Sequence, residues 1–499
     1  MFVSVSPKNA SDLSVDLKKA AASGADGIEI LVNEYGKLQD FPEDLKSSAD
    51  IVKKFPVLLT IWNTGCDEKV DDGAAEELIK KCVLDQTVDI VSLEVVRADL
   101  VARIQAIVDN TKVKLMLSYR DYAGIKGPGQ AVETALKIQD MGADLIRLIY
   151  LAKDDVDVIH AARAARQLSK SEKTTAPFCI SAVGEVGLIL RLYGERVGNA
   201  FGCYRLEGDT PGNLSENLEE YREIRRIYDV DHPKLQSPVA YKLGNVVMGG
   251  EKYLNCMMIK EGSRIAVLEK AYEVLKYRPD IVEWRLDYMN PMLDTDFSEK
   301  MLVETARQLY DVLGEIPILM TFRIKEQGGL KKFSRNLRLR MVRSCIQSGV
   351  ISIADVEIDS DEEYIEAIRE DCEKYGTKLL LSFHDWNQVP ADEFMIREVQ
   401  LALAKGADIP KMYLTANSYQ DVIRIARTAK SLRMDGICEK PFCLCGMNDI
   451  AMITRILGGQ CGSEMGYFTW SDVRGGYEED AVYFKELLEL FALEGISGY

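Results

Sequence analysis

Six side chains in the second half of the sequence have the types and places needed to work on a small acid. Lys411 stands in ADIPKMYLT, and His384 ends the apolar run LLLSFH. Glu283 and Arg285 lie two apart in VEWRLDY, Arg323 closes LMTFR, and Arg455 follows MIT. A lysine buried among apolar residues is penalised as an ammonium, which lowers its pKa and makes it a nucleophile for a carbonyl. His384 is one of only 3 histidines, and imidazole is the side chain whose ordinary pKa lies nearest neutrality. A lysine that forms an imine and a histidine that carries a proton suit proton removal beside a carbonyl. The three arginines can grip a carboxylate through paired hydrogen bonds. The expected partner is a small anionic keto acid. Each residue alone has an ordinary explanation: a snorkelling strand-end lysine, a hydrogen-bonded structural histidine, a stabilising Glu–Arg pair. Their recurrence at the ends of successive strand-like runs outweighs those explanations.

The elements that must hold these residues are written twice. LMLSYRDY (115–122) matches LLLSFHDW (379–386), MGADLIRLIYLAKDDVDVI (141–159) matches KGADIPKMYLTANSYQDVI (405–423), and APFCISAVGEVGLILRLYG (176–194) matches KPFCLCGMNDIAMITRILG (440–458). The spacing within each of these three pairs is the same, which marks an internal duplication. The join falls near Asp231–Lys234, giving domains 1–235 and 236–499. Within each half, short apolar β-rich runs alternate with amphipathic helical segments such as ADLVARIQAIVDN. Runs apolar on both faces suit a covered parallel sheet. Eight such units per half predict an α/β chain of two tandem (β/α)8 TIM barrels. An open doubly wound sheet competes, but no GxGxxG loop follows a first strand. VAYKLGNVVMGGE, near the start of the second half, reads as a hairpin turning at Gly-Gly and plugging the barrel's base.

A chain of 499 residues, 47% hydrophobic, is long enough for two cores. Its formal charge of -17 argues against a nucleic-acid or membrane-surface partner, which a basic patch would mark. No apolar run approaches the roughly 18 residues of a membrane span, and MFVSVSPKNASDL lacks the order of a signal peptide. The 11 scattered cysteines suit reduced thiols in a cytoplasm. The denser group Cys438, Cys443 and Cys445 lacks the ligand count and spacing of a metal site and reads as a buried strand.

EWRLDY, TFR, DVE, SFHDW, GADIPK and Thr454-Arg455 followed by Gly462-Ser463 resemble the type I 3-dehydroquinate dehydratase family across about 236–499, with the first half similar at lower specificity. The resemblance implies a (β/α)8 barrel that removes water from 3-dehydroquinate in the shikimate pathway through a lysine imine, without metal or cofactor. It assigns the imine to Lys411 and the proton transfers to His384. Glu283, Arg285, Arg323 and Arg455 become substrate-holding, and Met447 pocket-lining. It also implies a dimer-forming barrel, so the first half becomes an intrachain pseudo-dimer partner.

Two places depart from the family pattern. Gln327, in RIKEQGG, stands where the family has a glutamate that pairs with the histidine; Glu326 is the neighbour able to lean in. Where the family closes its site with SAPGQ, this chain reads RGGYE, with Arg474 and Glu478 at the substrate-touching positions. The first half has Arg147 in place of the lysine, Arg120 in place of the histidine, Leu31 for Arg285 and Trp62 for Arg323. Glu29 and Arg191 remain, and GDTPGN (208–213) echoes the closing loop. A guanidinium stays protonated and forms no imine, so this half reads as catalytically silent, or as an anion site between Arg120, Arg147 and Arg191. Two other functions fit the chain: an imine-forming lyase or aldolase on a related keto acid, and a non-catalytic binding protein.

Overall fold

Alternation of short buried strands and amphipathic helices builds two eight-stranded sheets, in a computed structural model that describes residues 1–62, 69–206, 218–290, 298–468 and 487–491. The chain divides into two compact units, one built on residues 1–225 together with Leu490 and Phe491, the other on residues 226–489.

The first unit holds β1 (Phe2–Val5), β2 (Gly27–Leu31), β3 (Val57–Thr60), β4 (Ile90–Glu94), β5 (Lys114–Asp121), β6 (Leu145–Leu151), β7 (Phe178–Val183) and β8 (Cys203–Arg205). All ladders are parallel, and the order is β7-β6-β5-β4-β3-β2-β1-β8. The last strand therefore lies beside the first, and the sheet curls into a barrel. At the seam between β7 and β8, the Ala200 amide donates to the Phe178 carbonyl at 2.8 Å.

The second unit opens with the hairpin β9 (Tyr241–Leu243) and β10 (Val246–Met248). Its barrel comprises β11 (Leu254–Ile259), β12 (Ile281–Arg285), β13 (Ile318–Thr321), β14 (Ile353–Glu357), β15 (Lys378–Asp385), β16 (Ile409–Leu414), β17 (Cys443–Gly446) and β18 (Met465–Phe468), in the same curled order. Glu464 closes the seam by donating its amide to the Phe442 carbonyl at 2.9 Å.

Because side chains alternate along a strand, each barrel strand splits its residues between two cores. In the second unit, Trp284, Met320, Val356 and Leu381 pack outward with helices such as Glu299–Leu313 and Glu362–Tyr375. Leu254, Ile281, Leu319, Ile353, Leu380, Ile409, Cys443 and Met465 point inward as a base layer, joined by Leu243, Val246 and Met248 of the hairpin. The hairpin thus plugs the barrel as its sequence suggested. Its turn, however, is at Gly244-Asn245 rather than at Gly249-Gly250. Gly244 has φ +49° and a Cβ there would lie 1.9 Å from the Glu315 carbonyl oxygen, so glycine is required by both conformation and space. Lys234 ties the segment before the hairpin to the barrel: its buried ammonium bonds Glu464 at 2.6 Å and the Gly250 carbonyl at 2.7 Å. The first unit has no such hairpin among its described residues, and Phe2 and Phe201 pack on its base layer of Leu58, Ile90 and Met116.

The cysteine group has a structural role. Cys443 and Cys445 are inward and buried on β17, Cys438 is buried nearby, and burial pushes all three thiols up. No group of three or more metal-binding side chains gathers among the described residues. No helix among them is long and apolar enough to cross a membrane.

Candidate active site

Inward-facing positions above the base layer carry the chemistry. The barrel register sets Ser382 opposite Lys411 and His384 opposite Tyr413 on β15 and β16. Lys411 and His384 therefore come from adjacent strands, two positions apart, on the inner face. Glu283 and Arg285 are on the same face of β12. One cavity of about 310 Å³ at the strands' C-terminal ends is lined by Lys411, His384, Glu283, Arg285, Arg323, Gln327, Met447 and Arg455. Those are eight of the ten residues singled out from the sequence; Arg474 and Glu478 lie outside the described residues.

Lys411 is 6% exposed, so the expected burial holds. Its surroundings are not simply apolar, though. Nζ donates to Asp355 Oδ2 at 2.9 Å, and stands 4.3 Å from the Tyr467 ring centre and 5.5 Å from that of Tyr413. A carboxylate and two aromatic faces hold the ammonium. Burial alone would raise the Asp355 carboxyl, but the charges of Arg323 and Lys411 outweigh it and hold that carboxyl well below the usual range. Asp355 also accepts from Arg323 at 2.7 Å and from the Ser382 hydroxyl at 2.6 Å.

Burial, and then the charges of Arg323 and Lys411, push the His384 imidazole well below its ordinary value of 6.5, with Asp355 opposing. The ring is therefore neutral at pH 7, as a base must be. Its Nδ1 faces Gln327 Oε1 at 3.3 Å. Thus Gln327 itself contacts the histidine. Glu326 does not lean in: it is turned to solvent and paired with Lys332 at 3.1 Å. Trp386 stacks alongside His384, ring centres 6.4 Å apart. Gly328 makes room for that indole, since a Cβ there would come within 2.3 Å of it.

The arginines are less available than their sequence pattern suggested. Arg285 is held in a two-pronged bond by Asp287, both contacts 2.8 Å. Arg323 is spent on Asp355, on Glu357 at 3.3 Å and on Ser382 at 2.7 Å. Arg455 instead donates to the backbone carbonyls of Gly446 at 2.5 Å and Asn448 at 3.2 Å. Glu283 accepts from the Thr321 hydroxyl at 2.5 Å.

Met258, Lys260, Gly328, Tyr413, Tyr467 and Trp386 complete the lining and carried no role in the sequence reading. Tyr413 was within reach of the strand period, two positions after Lys411. Tyr467 was not, because nothing local says that β18 closes beside β11. Asp355 was legible as a strand-end acid, but its partner is 56 residues away in sequence.

In the first unit the corresponding inner positions form a closed network. Arg147 donates to Glu29 at 2.6 Å, Ser92 at 3.2 Å, Ser118 at 3.3 Å and the Cys203 thiol at 3.4 Å. Burial pushes the Glu29 carboxyl up, but Arg147 and the hydroxyls of Ser4 and Thr60 outweigh it and lower it. Arg120 lies 3.1 Å over the Trp62 ring, with Glu94 3.8 Å away. A cavity of about 320 Å³ is lined by Glu29, Trp62, Arg147 and Arg191, but not by Arg120. The three arginines suggested as an anion site do not converge on it.

Comparison with known proteins bears on both halves. The sequence model of the type I 3-dehydroquinase family matches residues 1–234 and 255–495. A 3-dehydroquinate dehydratase of Geobacillus thermodenitrificans is 29% identical over 225 residues, 45% of this chain and 85% of that protein. One from Klebsiella pneumoniae is 26% identical over 230 residues, 46% of this chain and 90% of its own. The solved 3-dehydroquinate dehydratase of Geobacillus kaustophilus shares 25% identity, covers 52% of this chain and 97% of itself, and superposes with a TM-score of 0.47.

Proposed function

We propose that this chain, which belongs to the type I 3-dehydroquinase family, dehydrates 3-dehydroquinate to 3-dehydroshikimate in its second barrel, through an imine on Lys411. The observation that carries this reading is a buried lysine and a neutral histidine, on adjacent strands, facing one cavity.

Lys411 sheds a proton and adds to the ketone, and loss of water leaves an iminium. That group draws electrons from the neighbouring carbon, whose proton passes to Nε2 of His384. The resulting enamine expels the hydroxyl at C1, which leaves as water with the proton from His384. Hydrolysis of the imine frees the product and the lysine. Asp355 stabilises positive charge on the Lys411 nitrogen in both the ammonium and iminium forms, and its low pKa keeps it ionised. Tyr413 and Tyr467 flank the same nitrogen. Arg455, whose bonds among the described residues go to backbone carbonyls, is the arginine best suited to take the substrate carboxylate. Gln327, Glu283 and Met447 line the pocket around it.

The first barrel carries no imine chemistry on this reading, because Arg147 stands at the lysine position and Arg120 at the histidine position.

The test is turnover of 3-dehydroquinate, followed by the absorbance of 3-dehydroshikimate, together with borohydride trapping. Reductant plus substrate is expected to add the mass of the reduced adduct to the peptide that contains Lys411. Turnover without any trapped adduct would reject the imine. A trapped adduct with no 3-dehydroshikimate would point to a related keto acid.

A further inference from the structure

The contact to His384 is a side-chain amide, and an amide has two ends. One end, Oε1, accepts a hydrogen bond; the other, Nε2, only donates. If the amide turned over, Gln327 would present its NH2 to His384 Nδ1. The ring would then have to accept at Nδ1 and carry its proton on Nε2. Such a ring has no lone pair toward the cavity and cannot act as a base there. The function of His384 therefore depends on which way Gln327 points.

Asp359 decides it. Both of its carboxylate oxygens receive the Gln327 amide nitrogen, at 2.9 Å and 3.0 Å. A carboxylate accepts and does not donate, so the NH2 end must face Asp359 and the Oε1 end must face the imidazole, 3.3 Å from Nδ1. Gln327 is 8% exposed, which limits water as a substitute partner at its head. Asp359 is exposed on the loop just after β14, two residues beyond Glu357. The other charged groups facing the ring are Arg323, Lys411, Asp355 and Arg285.

We propose that Asp359 is a positioning residue: it locks the Gln327 amide in one orientation, and so commits His384 to the Nδ1–H tautomer with Nε2 free as the proton carrier. The proposal deepens the dehydratase reading and rests on it for the role of His384, but the tautomer can be read without any substrate.

The chain has only 3 histidines, so full-length protein labelled with 15N-histidine gives few signals, and His384→Gln identifies the one that matters. The wild type is expected to show a protonated Nδ1 and an unprotonated Nε2 for His384. Asp359→Asn, nearly the same size, can donate to Gln327 Oε1 and let the amide turn over. Its His384 signal is expected to move toward the Nε2–H tautomer. Turnover of 3-dehydroquinate is expected to fall in kcat by about 10- to 100-fold, a part of the roughly 10²–10⁴ that general acid–base catalysis supplies, with KM within about threefold. Gln327→Glu alone sets two carboxylates against each other and is expected to lose activity too. The double variant Gln327→Glu/Asp359→Asn removes that repulsion, restores an acceptor-only group at Nδ1, and is expected to recover both the tautomer and most of kcat. A wild-type signal from the Nε2–H form overturns the proposal. So does Asp359→Asn with the tautomer unchanged, whatever its kcat, or a double variant no better than its parents. Absence of wild-type turnover would reject the dehydratase reading and leave the tautomer result to decide this one.

Discussion

The two barrels of this chain keep the same frame and treat one inner position in opposite ways. At the centre of the second, Lys411 bonds Asp355, and Glu283 is left to Thr321. At the matching place in the first, the acid on β4 has become Ser92, and Arg147 reaches across to Glu29 instead. The longer, forked guanidinium spans the barrel interior and binds four partners at once, where the lysine nitrogen meets one carboxylate and two aromatic rings. Exchanging Lys for Arg leaves the charge unchanged, and the acid missing where Ser92 stands for Asp355 is matched by the cation missing where Trp62 stands for Arg323, so the interior stays electrically balanced. The comparison teaches that the same barrel frame holds either a lysine or an arginine at this inner position when the buried cation is re-paired. It also separates two arrangements of buried charge: in one barrel a lysine–carboxylate pair facing a cavity, in the other a guanidinium crosslink.

The largest effect expected from breaking this contrast is that of Lys411→Ala. It should abolish both turnover and borohydride trapping, with no adduct appearing on any peptide of the first barrel. An adduct on residues 1–225 would show that the first barrel is not silent. Next is His384→Ala, expected to slow turnover by about 10²–10⁴ if the imidazole carries the proton; a loss below about tenfold would move that task elsewhere. Arg147→Ala sharpens the comparison from the other side. It strands Glu29 as a buried charge, so thermal or denaturant unfolding should show the first barrel destabilised by about 3–5 kcal/mol. Turnover at low temperature should change less than about twofold. A large rate loss from an Arg147→Ala chain that remains folded would contradict the division of labour.

The smallest effect is in pH. Since His384 in the folded protein is pushed well below 6.5, the ring stays unprotonated as pH falls through that value, while the same ring in the unfolded chain takes a proton. The unfolded state then binds more protons, so the contribution of His384 to stability is intact above pH 6.5 and declines below it. The acid limb of kcat that depends on His384 is accordingly expected below pH 6.5. A limb at or above 6.5 that vanishes in His384→Gln would refute the neutral buried ring.

Fold and most of the site were legible in the sequence because both rest on local regularities. Alternating strand and helix patterns, repeated with constant spacing, specify a (β/α)8 unit twice. A period of two along strands puts Glu283 with Arg285 and Lys411 with Tyr413 on one face whatever the rest of the chain does. The residue types at Arg147 and Arg120 likewise separate the two halves without coordinates. What remained hidden were relations between residues distant in sequence. The pairing of Lys411 with Asp355, the spending of Arg285 and Arg323 on internal acids, the approach of Tyr467, and the Asp359–Gln327–His384 chain all depend on which strands become neighbours and how deep each side chain reaches. Even the hairpin's turn was misplaced by a local cue, since Gly249-Gly250 looked the better turn and only the Glu315 carbonyl pressed against Gly244 decides for the other. Sequence by itself determined which groups are present and which face of each strand they occupy, because those follow from backbone period and side-chain chemistry. Tertiary structure alone decided which charges neutralise which, because electrostatic and hydrogen-bonding energies fall off over a few ångströms and only barrel closure sets those distances.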